Sequence, residues 1–174
     1  MRLKGKKIVI FVEDLYDVLE MWVPYYRMLE EGAEVLKVGT GSASVYASKH
    51  GYQAEVDTEA SKVSADDIDG IIVPGGFGPD RLRRYPAVLN LVKTTFAQGK
   101  MVASICHGAW VLVSADVLRG KKATCVPAIK DDVKNAGANY IDEPVVIDKN
   151  LVTSRTPADL PVWLPAIISV LEKQ

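Results

Sequence analysis

The hydrophobic pattern of this chain alternates between two kinds of segment. Short runs rich in valine and isoleucine are typical of buried parallel strands, and longer stretches with helical spacing of apolar residues follow them. The short runs predict strands at residues 7–12, 33–38, 69–73 and 101–105, and shorter strands near Thr124, Val145 and Val152. The longer stretches predict helices over residues 17–31 and 86–98, a helix from His107 and a last helix near residue 157. The less regular residues 39–63 are compatible with a small hairpin.

Two helices carry boundary signals. Gly32 is placed to end the first helix, and Pro24 inside it predicts a kink or a break into two pieces. The last helix has Thr156 as a cap, Pro157 at its first position and Asp159 near its positive end.

Strands that alternate with helices are typical of parallel βαβ units, whose helices cover both faces of the sheet. The sequence therefore predicts an α/β fold with three layers and a mostly parallel central sheet. Residues 1–174 contain no internal repeat, low-complexity segment or linker, and we expect one domain.

Composition and charge narrow the classes of partner. The chain is 48% hydrophobic, enough for a sizeable core, and 21 basic against 22 acidic residues leave a net charge of −1. This balance does not suit a nucleic-acid-binding protein and favours a small-molecule or peptide substrate. Two cysteines are too few for a disulfide framework, and no run approaches the roughly 20 apolar residues that span a membrane. We expect a cytoplasmic protein with reduced thiols and no membrane contact.

The segment ASICHG, at residues 103–108, places Cys106 where an apolar strand meets a helix. A nucleophile on such a sharp turn has a strained backbone and needs small neighbours two positions away, here Ser104 and Gly108. The helix N-terminus is expected to lower the pKa of the thiol and favour the thiolate. The alternative interpretation is a buried structural cysteine, which is the commoner role of a free cysteine.

A glycine turn and a histidine accompany this elbow. Gly75 and Gly76 end a neighbouring parallel strand, so their main-chain N–H groups, with that of His107, could stabilise a developing oxyanion. A plain strand-exit turn is the alternative. His107 follows the nucleophile directly and is the candidate base, although adjacent side chains usually point in different directions.

Other sites have weaker support. Two histidines and two cysteines at irregular spacing do not suit a zinc site, and we expect neither a metal nor a cofactor. The loop EDLY at residues 13–16 is acidic and lacks the glycines that cradle phosphate, which disfavours a flavin- or nucleotide-binding module.

Several blocks along the chain resemble the ThiJ/PfpI family of the class I glutamine amidotransferase-like superfamily. They are YDVLE at 16–20 with Pro24, KHGY at 49–52, PGG at 74–76, PDR at 79–81, ASICHG at 103–108, IKDD at 129–132, NAG at 135–137 and TSRTPADL at 153–160. The resemblance implies a flavodoxin-like three-layer α/β/α sandwich with a nucleophile elbow. It also implies a homo-oligomer, a dimer or possibly a hexamer.

The resemblance assigns roles to two acidic residues. A glutamate that can share a proton with the nucleophilic sulfur falls on Glu20, which would otherwise be read as a surface residue. The residue that orients His107 comes from a neighbouring subunit and falls on Asp80, where the family usually has glutamate; by itself Asp80 would be read as a helix cap. Val126 stands where many protease-like members have tyrosine, which weakens the peptidase interpretation.

The resemblance therefore implies a cysteine-dependent enzyme. Its substrates would be reactive carbonyls, in a glyoxalase or protein-deglycase reaction, or peptide and amide bonds, in an intracellular protease reaction. The alternative is a non-enzymatic redox-sensing or chaperone-like stress protein that uses oxidation of Cys106.

Overall fold

The structure is a computed structural model that describes residues 1–174. Eleven strands form one large sheet and two small pairs. In chain order they are β1 (Lys7–Phe11), β2 (Glu34–Gly39), β3 (Val45–Ala47), β4 (Gln53–Glu55), β5 (Thr58–Glu59), β6 (Gly70–Val73), β7 (Met101–Ile105), β8 (Lys122–Ala123), β9 (Asn139–Tyr140), β10 (Val145–Asp148) and β11 (Leu151–Ser154).

Six α-helices connect these strands. They are α1 (Val18–Glu30), α2 (Gly78–Leu82), α3 (Pro86–Ala97), α4 (Ala109–Ser114), α5 (Lys130–Asn135) and α6 (Leu160–Leu171). None of them combines the length and the apolar character that a membrane crossing requires.

The large sheet has seven strands in the order β10-β11-β7-β6-β1-β2-β5. Every neighbouring pair is parallel except β10 and β11 at one edge, so the predicted mostly parallel sheet is confirmed. The small hairpin expected within residues 39–63 is the antiparallel pair β3–β4.

Each face of the sheet has its own hydrophobic core, because successive residues of a strand point to opposite sides. Val9 and Phe11 of β1 join the core beneath α3, α4 and α5, whereas Ile8 and Ile10 join the core beneath α1 and α6. The result is the predicted three-layer α/β/α sandwich.

The strand order reverses at β1. After β1 the chain adds β2 on one side, and it returns later to place β6 on the other side. Ligands of open α/β sheets bind beside such a switch point, at the carboxyl ends of the strands. The turns that follow β1, β6 and β7 meet at this edge and form the candidate site.

Of the two outcomes predicted at Pro24, the break is wrong, because α1 is continuous over 13 residues, and the kink stays a prediction. Pro24 has no N–H to donate to the carbonyl of Glu20, but it lies buried with Met21 and Met28 on the face that packs on the sheet. Apolar packing therefore holds the helix together across the proline.

The helix starts also differ in detail from the prediction. Residues Pro157–Asp159 form a 3₁₀ turn before α6, and the Thr156 side chain makes no capping bond. The helix expected from His107 begins as a 3₁₀ turn, Cys106–Gly108, and becomes α4 at Ala109. The short helices α2 and α5 were not predicted, since five or six residues give too little periodicity to detect.

Candidate active site

Cys106 lies on a strained turn between β7 and α4. Its φ is +59°, a left-handed conformation that residues with a Cβ adopt at a cost. The predicted small neighbours fit this turn: Ser104 is fully buried, and a Cβ at Gly108 would collide with the carbonyl oxygen of Val73. The predicted elbow is therefore observed, with Cys106 partly exposed at its tip.

The prediction of a lowered thiol pKa is wrong for this chain by itself. Burial, and then the negative charge of Glu20, raise the pKa of Cys106 to about 12. Hydrogen bonds from the main-chain N–H groups of His107 and Gly76 act in the opposite direction but are outweighed. Helix α4 has only six residues and begins after a 3₁₀ turn, so it supplies little of the expected positive field.

Glu20 is buried against the nucleophile and is not a surface residue. It lies in the first turn of α1, is 1% exposed, and accepts a hydrogen bond through Oε2 from the Gly75 N–H at 2.7 Å. Its other oxygen, Oε1, is buried without a hydrogen-bond partner. Burial, followed by the charge of Asp17, raises the pKa of Glu20 to about 7. At neutral pH this carboxyl can therefore either hold or accept a proton.

Two charged residues, Asp17 and Lys49, lie next to Glu20. Asp17 caps α1, where its Oδ1 accepts hydrogen bonds from the N–H groups of Leu19 (3.0 Å) and Glu20 (3.2 Å). The ammonium of Lys49, in the β3–β4 hairpin, lies 2.8 Å from Asp17 Oδ2. The Lys49 charge opposes the rise in the pKa of Glu20.

His107 also contacts the sulfur. Its Nδ1 is 3.3 Å from Cys106 Sγ, although the two residues are adjacent in sequence. Burial, and then the charge of Lys49, lower the pKa of His107, so the imidazole is neutral and can exchange a proton with the thiol. Its ring packs between Phe77 and Trp110.

Asp80 does not contact His107 within the chain. It lies in α2, and its half-exposed carboxylate pairs with the guanidinium of Arg84, four residues further along. The hydrogen bond to Cys106 Sγ is the only one that the His107 ring makes. A role of Asp80 at the histidine of a second copy of the chain stays a prediction.

The glycine turn after β6 serves two purposes. The N–H of Gly75 is already bound to Glu20, and a Cβ at this position would lie 2.7 Å from Cys106 Cβ. Gly75 therefore permits the close approach of Glu20 to Cys106 and is not free to stabilise an oxyanion. Gly76 has φ +79°, and its N–H faces the sulfur together with that of His107. Of the three predicted oxyanion donors, Gly76 and His107 have main-chain N–H groups near the sulfur, and their role at an oxyanion stays a prediction.

Val126 and Cys125 lie behind the elbow. The N–H of Val126 is 3.5 Å from the Cys106 carbonyl oxygen, so the main chain of this segment follows the nucleophile turn. Cys125 is fully buried in the hydrophobic core. No group of three or more histidine, cysteine, aspartate or glutamate side chains is arranged to hold a metal ion.

Asp17 and Lys49 are site residues that were not predicted. An aspartate directly before a predicted helix is a cap signal, so Asp17 was detectable. Lys49 gave no such signal, because it reaches the site only through the fold of the hairpin.

Solved structures share this architecture. A two-domain protein from Anabaena variabilis, which contains a DJ-1/ThiJ/PfpI-like and a ferritin-like domain, superimposes with a TM-score of 0.93 and 39% identity, over 96% of this chain and 48% of that one. Drosophila melanogaster DJ-1beta superimposes with a TM-score of 0.90 and 25% identity, over 97% of this chain and 91% of that one. The fold is the flavodoxin-like α/β fold of these proteins.

Curated relatives match over almost their full length. A protein from Pyrococcus abyssi named deglycase is 42% identical over 166 residues, which cover 95% of this chain and 99% of that one. Deglycase PfpI from Pyrococcus furiosus is 39% identical over 166 residues with the same coverage. YraA of Bacillus subtilis, whose name describes a candidate cysteine protease, is 37% identical over 168 residues, covering 97% of this chain and 99% of that one. The sequence model of the DJ-1/PfpI family matches residues 6–170, and the chain belongs to the DJ-1/PfpI family.

Proposed function

We propose that this chain is a cysteine-dependent enzyme that converts α-oxoaldehydes and their protein adducts, a glyoxalase or deglycase activity. One observation carries the proposal: the buried carboxyl of Glu20, with one oxygen unpartnered and a pKa of about 7, lies beside the thiol of Cys106. The names of the two Pyrococcus relatives support the same activity.

The first step is addition of the thiol to the aldehyde carbon. As Sγ forms its bond to carbon, the thiol proton passes to Glu20 or to Nδ1 of His107, and the carbonyl oxygen becomes the hydroxyl of a hemithioacetal. The N–H groups of Gly76 and His107 can donate to that oxygen while it carries negative charge. Because the pKa of Cys106 is raised, little thiolate is present in advance, and one of these two groups must remove the proton as attack occurs.

The second step moves one proton between two carbons of the substrate. A base removes the proton from the carbon bound to sulfur, and the neighbouring carbonyl carbon receives a proton. The hemithioacetal hydroxyl loses its proton as the neighbouring carbonyl oxygen gains one, which gives the thioester of an α-hydroxy acid. Water then cleaves the thioester and restores the thiol. The net reaction adds one water molecule, and no external oxidant or reductant is consumed. A carboxyl with a pKa near 7 can accept and return this proton at neutral pH.

Peptide hydrolysis is the second candidate activity, and it demands more of His107. The imidazole must protonate a leaving amine, which requires a partner at its other nitrogen. We propose that Asp80 of a second copy supplies this partner in a homo-oligomer, a dimer or a larger assembly. Loss of peptide cleavage in Asp80→Asn, with the exposed Asp131→Asn as control, would support this assignment. Equal cleavage by both variants would refute it.

The test of the main proposal compares wild type with Cys106→Ala on methylglyoxal and on a fluorogenic peptide. Turnover of methylglyoxal that disappears in Cys106→Ala supports the enzyme. Turnover that survives the substitution rejects the mechanism.

A redox sensor is the competing interpretation, since a sulfinate at Cys106 could receive a hydrogen bond from protonated Glu20. It predicts rapid oxidation of Cys106 by mild peroxide, detected by mass spectrometry, in a protein that does not consume methylglyoxal. A thiol that survives peroxide while methylglyoxal is consumed excludes the sensor role.

A further inference from the structure

Two large apolar side chains are exposed at the mouth of the candidate site. Phe77 is 56% exposed, and Leu15 is 40% exposed. The N–H of Phe77 donates to the Leu15 carbonyl at 2.9 Å, and the N–H of Leu15 donates to the Ala47 carbonyl at 2.7 Å. These main-chain bonds would form with other side chains at both positions. The fold therefore does not require a phenyl ring at residue 77, where burial contributes little to stability.

The Phe77 ring begins a row of three rings that passes beside the sulfur. The centroid of the His107 ring is 6.1 Å from that of Phe77 and 5.0 Å from that of Trp110. His107 Nδ1, in the middle of the row, is 3.3 Å from Cys106 Sγ. We call Phe77, His107 and Trp110 the aromatic row. A substrate carbon bonded to Sγ would therefore lie beside the His107 ring.

The two ends of the aromatic row differ. Trp110 is fixed, because its Nε1–H donates to Asp132 at 2.9 Å and the guanidinium of Arg83 lies 5.4 Å from its ring centroid. Arg83 is itself held by a 2.9 Å hydrogen bond from Nε to Ser114. Within one chain, Phe77 has no such partner and is open to solvent. Trp110 is thus the fixed end of the row, and Phe77 is the end that a ligand can contact.

We propose that the aromatic row binds an aromatic or bulky apolar substituent next to the reacting carbonyl, so that the enzyme prefers aryl α-oxoaldehydes to methylglyoxal. This inference rests on the proposed function and adds the substrate class. Aromatic rings attract one another in offset or edge-to-face arrangements at centroid distances of about 4.5–7 Å, a range that an exposed ring can offer to a ligand. A methyl group cannot make that contact.

The test compares kcat/KM for phenylglyoxal and methylglyoxal, from initial rates, in wild type, Phe77→Ala, Phe77→Leu and Tyr26→Ala. Tyr26 is the matched control, because it is 59% exposed and lies on α1 outside the candidate site. We expect the phenylglyoxal-to-methylglyoxal ratio to fall roughly threefold to tenfold in Phe77→Ala. Phe77→Leu should lose part of that preference, and Tyr26→Ala should match wild type.

A second readout does not depend on turnover. The rates of Cys106 alkylation by N-benzylmaleimide and N-ethylmaleimide are compared in the same variants, with the modified residue located by mass spectrometry. The benzyl-to-ethyl rate ratio should fall in Phe77→Ala and stay constant in Tyr26→Ala. If no variant consumes an α-oxoaldehyde but this ratio still falls, the proposed function fails and the aromatic subsite stands. Ratios in Phe77→Ala that equal those of wild type overturn the subsite.

Discussion

The two cysteines of this chain share one property and differ in all others. Burial raises the pKa of both Cys106 and Cys125 to about 12. Cys106 is partly exposed on a left-handed turn, with the carboxyl of Glu20 and the imidazole of His107 beside its sulfur. Cys125 is enclosed in the hydrophobic core. The thiol pKa therefore does not distinguish the candidate nucleophile from the packing residue. The exposure of the sulfur to substrate and the presence of a nearby proton acceptor do.

The largest expected difference is in the rate of thiol alkylation. Iodoacetamide should modify Cys106 at least about 10³ times faster than Cys125, because a fully buried thiol reacts only when the structure opens. Peptide mass spectrometry at native and denaturing urea concentrations measures both rates. Cys106→Ala should remove the fast reaction and Cys125→Ala should retain it. Comparable rates for the two thiols would contradict the comparison.

The next largest effect is expected on turnover when Glu20, the proposed proton acceptor, is replaced. Glu20→Gln keeps the shape of the side chain but cannot accept the thiol proton, so we expect methylglyoxal turnover to fall about 10²-fold. Wild-type activity should rise with pH through about 7 as Glu20 ionises, and this rise should be absent in the variant. Initial rates from pH 5 to pH 9 measure it. An identical pH profile in wild type and Glu20→Gln would show that another group is the base.

Glu20 also predicts a pH dependence of stability. Its pKa is raised from an ordinary 4.5 to about 7, so the folded chain holds a proton that the unfolded chain has lost. The stabilisation from this group is present below about pH 4.5 and is lost as the pH rises to about 7, by about 3 kcal/mol in total. The amide of Glu20→Gln does not titrate, so the variant should not lose stability in this way as the pH rises.

Urea unfolding of both proteins at pH 5 and pH 8 measures the difference. The stability of wild type relative to Glu20→Gln should decline between these values. Parallel stability curves would mean that burial does not hold the proton on Glu20.

The smallest expected effect on turnover comes from Lys49, which pairs with Asp17 next to Glu20. In Lys49→Met the charge of Asp17 has no partner, so the pKa of Glu20 should rise further and turnover at pH 7 should fall roughly threefold. Lys37→Met is the control, because Lys37 forms a similar ion pair with Asp57 away from the site. The pH–rate profile should move upward in Lys49→Met alone. An equal shift in both variants would point to net charge as the cause.

Much of the fold was predictable because its signals are local. The β-branched runs identified the four central strands, and the small residues around Cys106 identified the elbow. The direction of the thiol pKa was not predictable from that segment. It depends first on the burial of Cys106 and then on the nearby charge of Glu20, and only the fold, which brings Glu20 to the Gly75 turn, determines both.

Pairs of residues distant in sequence were also beyond local signals. Gly75 looked like an oxyanion donor, but its N–H is bound to Glu20, 55 residues away. Lys49 carries no local signal of a role, and it reaches Asp17 only through the fold of the β3–β4 hairpin. Pro24 predicted a broken helix because the pattern along α1 does not show the apolar packing that keeps it continuous.

The left-handed conformation of Cys106 affects which residues evolution can keep at this position. At φ +59° the main chain favours glycine, so Cys106→Gly is compatible with the turn and would relieve its strain. That substitution would also delete the sulfur. A lineage that no longer needed the chemistry would be free to drift to glycine here and gain stability. Retention of a side chain at this position is therefore a signature of continuing use, which an alignment of close relatives can read directly.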